Sequence, residues 1–220
     1  MALSLHIQRP NTTAERRFWE QGCAHVAGVD EAGRGCWAGP VFAAAVILPP
    51  APAAWEALAG VRDSKRLSAR QREAQFVHIA ATALAVGVGR AEAAEIDALG
   101  IVPATRLAMR RALAQLAPPA EALVIDALRL PEVALPQQAF PYADARSLSV
   151  AAAGIVAKVS RDRWMRECAA LDFPGYGFAQ HKGYGTPQHR EALEMLGVCP
   201  LHRRTFRPVA LRLAREELPL

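Results

Sequence analysis

Apolar and polar residues recur along this chain with two different periods, and the period marks each element. Val26-Ala27-Gly28-Val29 is a short apolar run, β-branched at both ends and closed by a glycine cluster, which predicts a buried strand. Val41 to Leu48 is apolar throughout and predicts a second strand, antiparallel to the first and ended by Pro49, Pro50 and Pro52. Ala83 to Gly89 reads as another strand, and so does Leu123-Val124-Ile125-Asp126. Helical spacing predicts a short helix over Thr13 to Gln21, and one over Ala69 to Ala81 with Ser68 as its N-cap. Further helices are expected over Glu92 to Leu99 and over Pro103 to Leu116, the proline suiting a first helical position. From Ser147 to Val159 the apolar residues fall at 148, 152, 155, 156 and 159 and are mostly small, which predicts a deeply packed central helix. A last helix is expected over Pro187 to Leu196, followed by a basic tail, His202 to Arg207.

At 220 residues the chain is long enough to bury a sizeable core, and no repeat, low-complexity tract or linker divides it. One domain is expected, preceded by a polar arm over residues 1–22 that leads into the short helix. With 52% hydrophobic residues, many of them alanine, and 6% aromatics, the composition is that of an α/β globule. The formal charge of +5 and the pI near 9.4 favour a polyanionic partner. Cys23, Cys36, Cys168 and Cys199 form no CxxC pair and no zinc spacing, so free thiols in a reducing compartment are expected. Residues 1–21 carry Arg9, Glu15, Arg16, Arg17 and Glu20 with no apolar region of a secretory signal between them. The longest apolar run is cut by prolines and is too short to span a bilayer. A cytoplasmic location away from membranes follows by elimination.

Chemistry concentrates where the first strand ends. Asp30 and Glu31 stand side by side there, and Gly33-Arg34-Gly35 follows at once. Side chains alternate along a strand, so neighbouring acids share a site only where the strand is ending. Glycines open backbone angles closed to other residues and let main-chain N–H groups approach a ligand. Paired acids beside a bare basic turn suggest a metal-and-phosphate site; a solvated surface turn reads equally well from this stretch alone. Asp126 repeats the arrangement at the end of another apolar strand, and Asp144 precedes the central helix.

In chain order stand GVDEAGRGCWAGPV, RDSKRLS, AEID, VID, DARSLSVAAAGIVAKVSRDRWM, HKGYGT and HRRTF, covering about Val26 to Pro208. This series resembles bacterial ribonuclease HII, the type 2 RNase H family. The resemblance implies an α/β RNase H-like fold: a mixed five-stranded sheet flanked by helices, with a C-terminal helical portion. It makes residues 23–220 a single catalytic domain of this type. It also implies hydrolysis of RNA in RNA/DNA hybrids and cutting on the 5′ side of single ribonucleotides in duplex DNA, leaving a 3′-hydroxyl and a 5′-phosphate. Three positions depart from the family pattern. Ala127 and Ala143 stand where glycine is usual, and Gly154 where serine is usual; none of them removes a carboxylate.

Phosphodiester hydrolysis needs an activated water, a stabilised phosphorane-like transition state and a neutralised leaving group. Two divalent ions about 3.5–4 Å apart can supply all three. Hard oxygen ligands and excess negative charge suit Mg²⁺ or Mn²⁺. The resemblance assigns Asp30, Glu31, Asp126 and Asp144 to that role, with Asp30 central; Asp144 has a rival role as N-terminal charge for the central helix. It further assigns the Gly33, Arg34 and Gly35 turn to the ribose 2′-hydroxyl, the group that separates RNA from DNA. Tyr184 matches a tyrosine that stacks on the sugar after the cut. Asp63, Ser64, Lys65, Lys158, Arg161, Lys182, Arg203 and Arg204 look like phosphate contacts, which position a duplex without reading its sequence. His181, His189 and His202 are not spaced for zinc and read as loop or helix histidines open to phosphate contact. No obligate protein partner is evident. A non-catalytic nucleic-acid-binding module is the alternative from another class, and such a chain would have lost at least one of the four acids. Another two-metal nuclease of this fold, such as a junction resolvase, would lack the glycine turn and the HKGYG loop.

Overall fold

Strand β1 (Val26–Ala32) lies at the centre of the sheet, because one face packs under a long helix and the other under a second helix. The computed structural model describes residues 9–216, so the first eight residues of the expected arm lie outside the described residues. β1 pairs antiparallel with β2 (Val41–Ile47), which pairs antiparallel with β3 (Ala85–Ala91). On its other side β1 pairs parallel with β4 (Ala122–Asp126), and β4 pairs parallel with β5 (Gln137–Phe140). The order is β3-β2-β1-β4-β5, the mixed five-stranded sheet that was expected.

The helices follow in chain order. α1 (Thr13–Trp19) precedes β1, and α2 (Pro52–Ala57) and α3 (Ala69–Thr82) lie between β2 and β3. α4 (Ala93–Leu99) and α5 (Ile101–Leu113) lead into β4. α6 (Leu148–Trp164) continues through a π-type turn, Met165–Ala169, into the single turn α7 (Ala170–Asp172). α8 (Phe178–His181), α9 (Pro187–Leu196) and α10 (Arg207–Glu216) form the C-terminal helical portion.

Burial explains α6. From Leu148 to Ala157 every residue is buried, and its small side chains let the helix lie against β1 and β2. α5 covers the opposite face, where Ala104, Ala108, Met109 and Ala112 meet Val29, Ala45, Leu123 and Ile125. α1 is tied to this core: Ala14 and Phe18 pack with Val26, Val124 and Val150. Its Glu15 is buried and accepts from the Ser149 N–H at 3.0 Å and from the Ser147 and Ser149 hydroxyls, both at 2.6 Å. A carboxylate there also meets the positive end of α6.

Several elements differ from expectation. β1 runs through both acids to Ala32, and β3 sits two residues later than the apolar run indicated. β5 is a half-buried edge strand of four residues, QQAF, too short and too polar to carry a period. α2 forms just past the prolines, with Pro52 in its first turn, where a missing N–H leaves no bond unmade. The same freedom lets α5 begin at Ile101, two residues before Pro103. The expected basic tail is a turn up to Phe206, and a helix not foreseen, α10, follows it from Arg207.

Candidate active site

Register brings the acids together. Val29 is opposite Ile125 in the parallel β1–β4 pair, so the next residues on the two strands are Asp30 and Asp126. Both stand at the C-terminal rim of the parallel strands, where crevices form in sheets of this kind. Asp126 Oδ1 accepts from the Ala143 N–H at 2.8 Å, which ties β4 to the short 3₁₀ turn carrying Asp144. Alternation puts Asp30 on the face covered by α6 and Glu31 on the other, at the last turn of the strand. Gly154 of α6 makes room for this: a Cβ there would lie 2.3 Å from Asp30 Oδ2.

The four carboxylates crowd one another. Burial pushes the Asp30 carboxyl well above the usual range, and Glu31, Asp126 and Asp144 push it further. Glu31 is also raised by burial, against the pull of Arg34, whose Nη1 lies 3.1 Å from Glu31 Oε1. Its other oxygen, Oε2, is buried and has no hydrogen-bond partner among the described residues. Burial likewise raises Asp144, opposed by Lys65, whose Nζ lies 3.5 Å from Asp144 Oδ2. Lys65 is raised in turn: burial works against it, and Asp144, Asp63, Asp30 and Asp126 outweigh burial. Among the described residues no three His, Cys, Asp or Glu side chains converge as a finished cage for one ion. Arg34 and Lys65 neutralise part of the cluster.

Ala127, just past Asp126, adopts φ of +54°. A left-handed alanine carries strain of order 1 kcal/mol that glycine would not, which gives a physical reason for the glycine usual in the resembled family.

The glycine turn lies beside the acids. Gly33 has φ of +93°, and a Cβ on it would strike the Arg161 side chain at 2.0 Å. Gly35 has no such constraint: its φ is unremarkable and a Cβ would meet nothing within 4 Å. Arg203 Nη1 donates to Arg34 O at 2.7 Å, and its Nη2 to Gly33 O at 2.7 Å and to Gly39 O at 2.9 Å. A trans peptide sets its N–H opposite to its C=O. The N–H groups of Arg34 and Gly35 therefore point away from Arg203, toward the outside of the turn.

Two of the expected phosphate contacts are corrected here. Arg161 and Arg203 are both 0% exposed. Arg161 donates to Pro40 O at 2.9 Å, Ala38 O at 3.1 Å and Lys182 O at 2.9 Å. A buried guanidinium whose every nitrogen already bonds a main-chain carbonyl is not free to meet a phosphate; these two brace the turn and the loop after α8. His181 lies in α8, His189 in α9 and His202 in the loop before α10, and all three are buried, which opposes the expected phosphate contact. Residue type carries no signal for this, since a histidine in a sequence reads the same inside and outside. Lys65 and Arg204 remain exposed, Ser64 and Lys158 are half-buried, and Lys158 Nζ donates to Asp162 Oδ1 at 2.7 Å. Lys182 is half-buried with φ of +53°, and its Nζ donates to Ala179 O.

Tyr184 is 40% exposed, with Lys158 Nζ 5.2 Å from its ring centroid. Burial raises its hydroxyl pKa, and the neighbouring Cys36 thiol adds to the shift. The hydroxyl end thus faces inward beside the glycine turn, and the ring keeps an open face.

A protein-family model described as Ribonuclease HII matches residues 27–209. A ribonuclease HII of Chloroflexus aurantiacus is 56% identical over 203 residues, 91% of this chain and 94% of that one. The crystal structure of the ribonuclease H2 from Pyrococcus horikoshii superposes with a TM-score of 0.73 at 28% identity, covering 87% of this chain and 98% of that one. A Bst-RNase HIII in complex with Mn²⁺ shares the fold, with a TM-score of 0.67 at 20% identity over 89% of this chain and 71% of that one.

Proposed function

The chain belongs to the ribonuclease HII family, and from that premise we propose that its four rim carboxylates hold two divalent ions, Mg²⁺ or Mn²⁺, for cleavage of RNA in duplexes. Its substrates are RNA/DNA hybrids and duplex DNA containing single ribonucleotides, cut on the 5′ side to leave a 3′-hydroxyl and a 5′-phosphate. The observation that carries this reading is the buried, unpartnered Glu31 Oε2 within a cluster of four acids. A buried charged oxygen without a partner is costly, and a hard cation is the partner that this donor set suits. When bound, the ions supply a nucleophilic water and neutralise charge on the phosphate oxygens.

The chain's own groups do the rest. Asp30 and Asp126 approach from adjacent strands, Glu31 and Asp144 from the two sides of the rim. Lys65, already drawn to Asp144, is placed to meet the phosphate chain once the acids have other partners. Gly35 is not required by backbone angle or packing, so the missing side chain is read as clearance for a ribose. The outward N–H groups of Arg34 and Gly35 supply donors for its 2′-hydroxyl. The open face of Tyr184 stacks on the sugar that follows the cut.

The test is cleavage of three duplexes, with one ribonucleotide, with a continuous RNA strand and with DNA only, with and without Mg²⁺ or Mn²⁺. Cleavage is expected only where both a ribonucleotide and a metal are present. Tyr184→Ala should lower turnover on the single ribonucleotide by roughly one to three orders of magnitude, about 1.4 kcal/mol per decade, and on the hybrid by less. Equal losses on both substrates would take Tyr184 out of this role, and metal-independent cleavage would overturn the carboxylate assignment.

A further inference from the structure

Five hydrogen bonds in the C-terminal portion determine where every proton on three buried histidines must sit. A backbone N–H can only donate, so the Cys199 N–H, 3.0 Å from His202 Nδ1, requires a lone pair on that nitrogen. A neutral His202 then carries its proton on Nε2. That proton faces His189 Nε2 at 3.1 Å, which must accept it. His189 therefore carries its own proton on Nδ1, 3.0 Å from the Tyr184 carbonyl, which can only accept. Reasoning from the carbonyl end back to the amide gives the same assignment. His181 is set in the same way: its Nδ1 accepts from the Gly183 N–H at 3.1 Å and its Nε2 donates to Tyr176 O at 2.7 Å. A proton added to His189 would set two N–H groups face to face, and one added to His202 would remove the acceptor for Cys199. Only the fully neutral state satisfies every bond.

We propose that His202, His189 and His181 are positioning residues that fix where the Tyr184 ring stands, His202 and His189 through this one-way relay of hydrogen bonds and His181 through its stacked ring and its carbonyl. The geometry of the loop supports it. The Tyr184 carbonyl accepts from His189 Nδ1 and from the Thr186 N–H at 2.8 Å, and the Tyr184 N–H donates to His181 O at 3.0 Å. His181 and His189 stack with ring centroids 4.4 Å apart, and Phe178 meets the His189 ring edge-on at 5.6 Å. The peptide of Tyr184 is thus held by the His189 imidazole at its carbonyl and by the His181 carbonyl at its N–H, with both imidazoles locked by packing. Two segments meet here: the relay begins at residues 199 and 202 and ends at the loop carrying Tyr184. Burial agrees, lowering His181 and holding His189 and His202 to about 4. The functional half of the inference rests on the Tyr184 reading above.

The first test needs no variant. Imidazole ¹⁵N spectra of the full chain at neutral pH should report His189 as the Nδ1–H tautomer and His181 and His202 as Nε2–H tautomers. His189 as an Nε2–H tautomer, or any of the three charged, would overturn the relay. The second test uses two replacements that keep opposite halves of His189. Asparagine places its amide near Nδ1 and keeps the donor to Tyr184; glutamine reaches the Nε2 position and keeps the partner of His202. His189→Gln should shift the Tyr184 ring resonances and lower the preference for a single ribonucleotide over continuous hybrid by roughly tenfold. His189→Asn should leave both near the parent values even though its melting temperature also falls. Unmoved Tyr184 resonances in the glutamine variant would overturn the positioning role. Moved resonances together with a Tyr184→Ala variant that keeps its substrate preference would instead overturn the stacking role and leave the relay standing.

Discussion

At the rim of β1 and β4 four carboxylates crowd one another with one buried oxygen unpartnered, whereas under the adjacent glycine turn two buried guanidinium groups have a main-chain partner for each nitrogen. Both regions bury charge in the same small protein, and they handle it in opposite ways. Arg161 and Arg203 are surrounded by carbonyl oxygens of residues 33–40 and 182, so their charge is solvated by the main chain itself. Burial lowers Arg203 only to about 10, and it remains a cation at neutral pH. The acids have no comparable shell. Arg34 and Lys65 reach two of them from half-exposed or exposed positions, where ion pairs contribute little. The bonded frame holds the turn in shape, and the proposed metal reading rests on the acid cluster.

The largest effect that tests this contrast lies on the acid side. Asp30→Asn should reduce turnover by at least about three orders of magnitude, roughly 4 kcal/mol in transition-state terms. Its metal-free melting temperature should stay level or rise, because one of four repelling charges is gone. Near-normal turnover with unchanged metal dependence would sink the assignment.

On the frame side the sign reverses. Arg203→Ala should leave the carbonyls of Arg34 and Gly39 buried without donors, and that of Gly33 with the Cys36 N–H alone, and destabilise the fold by roughly 3–5 kcal/mol in urea unfolding. Lysine should not rescue it, since an ammonium cannot span three carbonyls in one plane. A loss under about 1 kcal/mol, ordinary for a surface arginine, would mean that the turn does not depend on this bracket.

A smaller effect separates the two regions by pH. His189 and His202 titrate near 4 when folded and near 6.5 when unfolded, so the unfolded chain binds more protons between those values. Their contribution to stability is therefore full above about pH 6.5 and is lost as pH falls toward 4. Asp30, Glu31 and Asp144, raised in the fold, act in the opposite direction over overlapping pH. The informative quantity is the difference: the urea midpoint of the parent should fall more steeply with acid than that of His202→Gln. Parallel pH profiles would show that the histidines are not held neutral.

Much of the site was legible because its determinants are local. An apolar strand ending in an acid, twice, and a run of small residues after Asp144 place acids at element ends beside a tightly packed helix; the resemblance, and not the local pattern, joined them in one site. The glycines at 33 and 35 mark a turn by the same local logic. β5 was not legible, since QQAF has neither length nor alternation, and α2 was hidden behind prolines that end one element and begin the next.

The sequence by itself determined which acids are available, which apolar runs form the inner strands and which helix must lie deepest, because period and residue size act over a few positions. Tertiary structure alone decided which cations face the solvent. Arg161 bonds Pro40 across 121 residues and Arg203 bonds Arg34 across 169. Their partners are main-chain carbonyls, which every residue carries and no side-chain letter records. A basic residue in a motif therefore reads as a phosphate contact until the fold reveals that the backbone has already taken it.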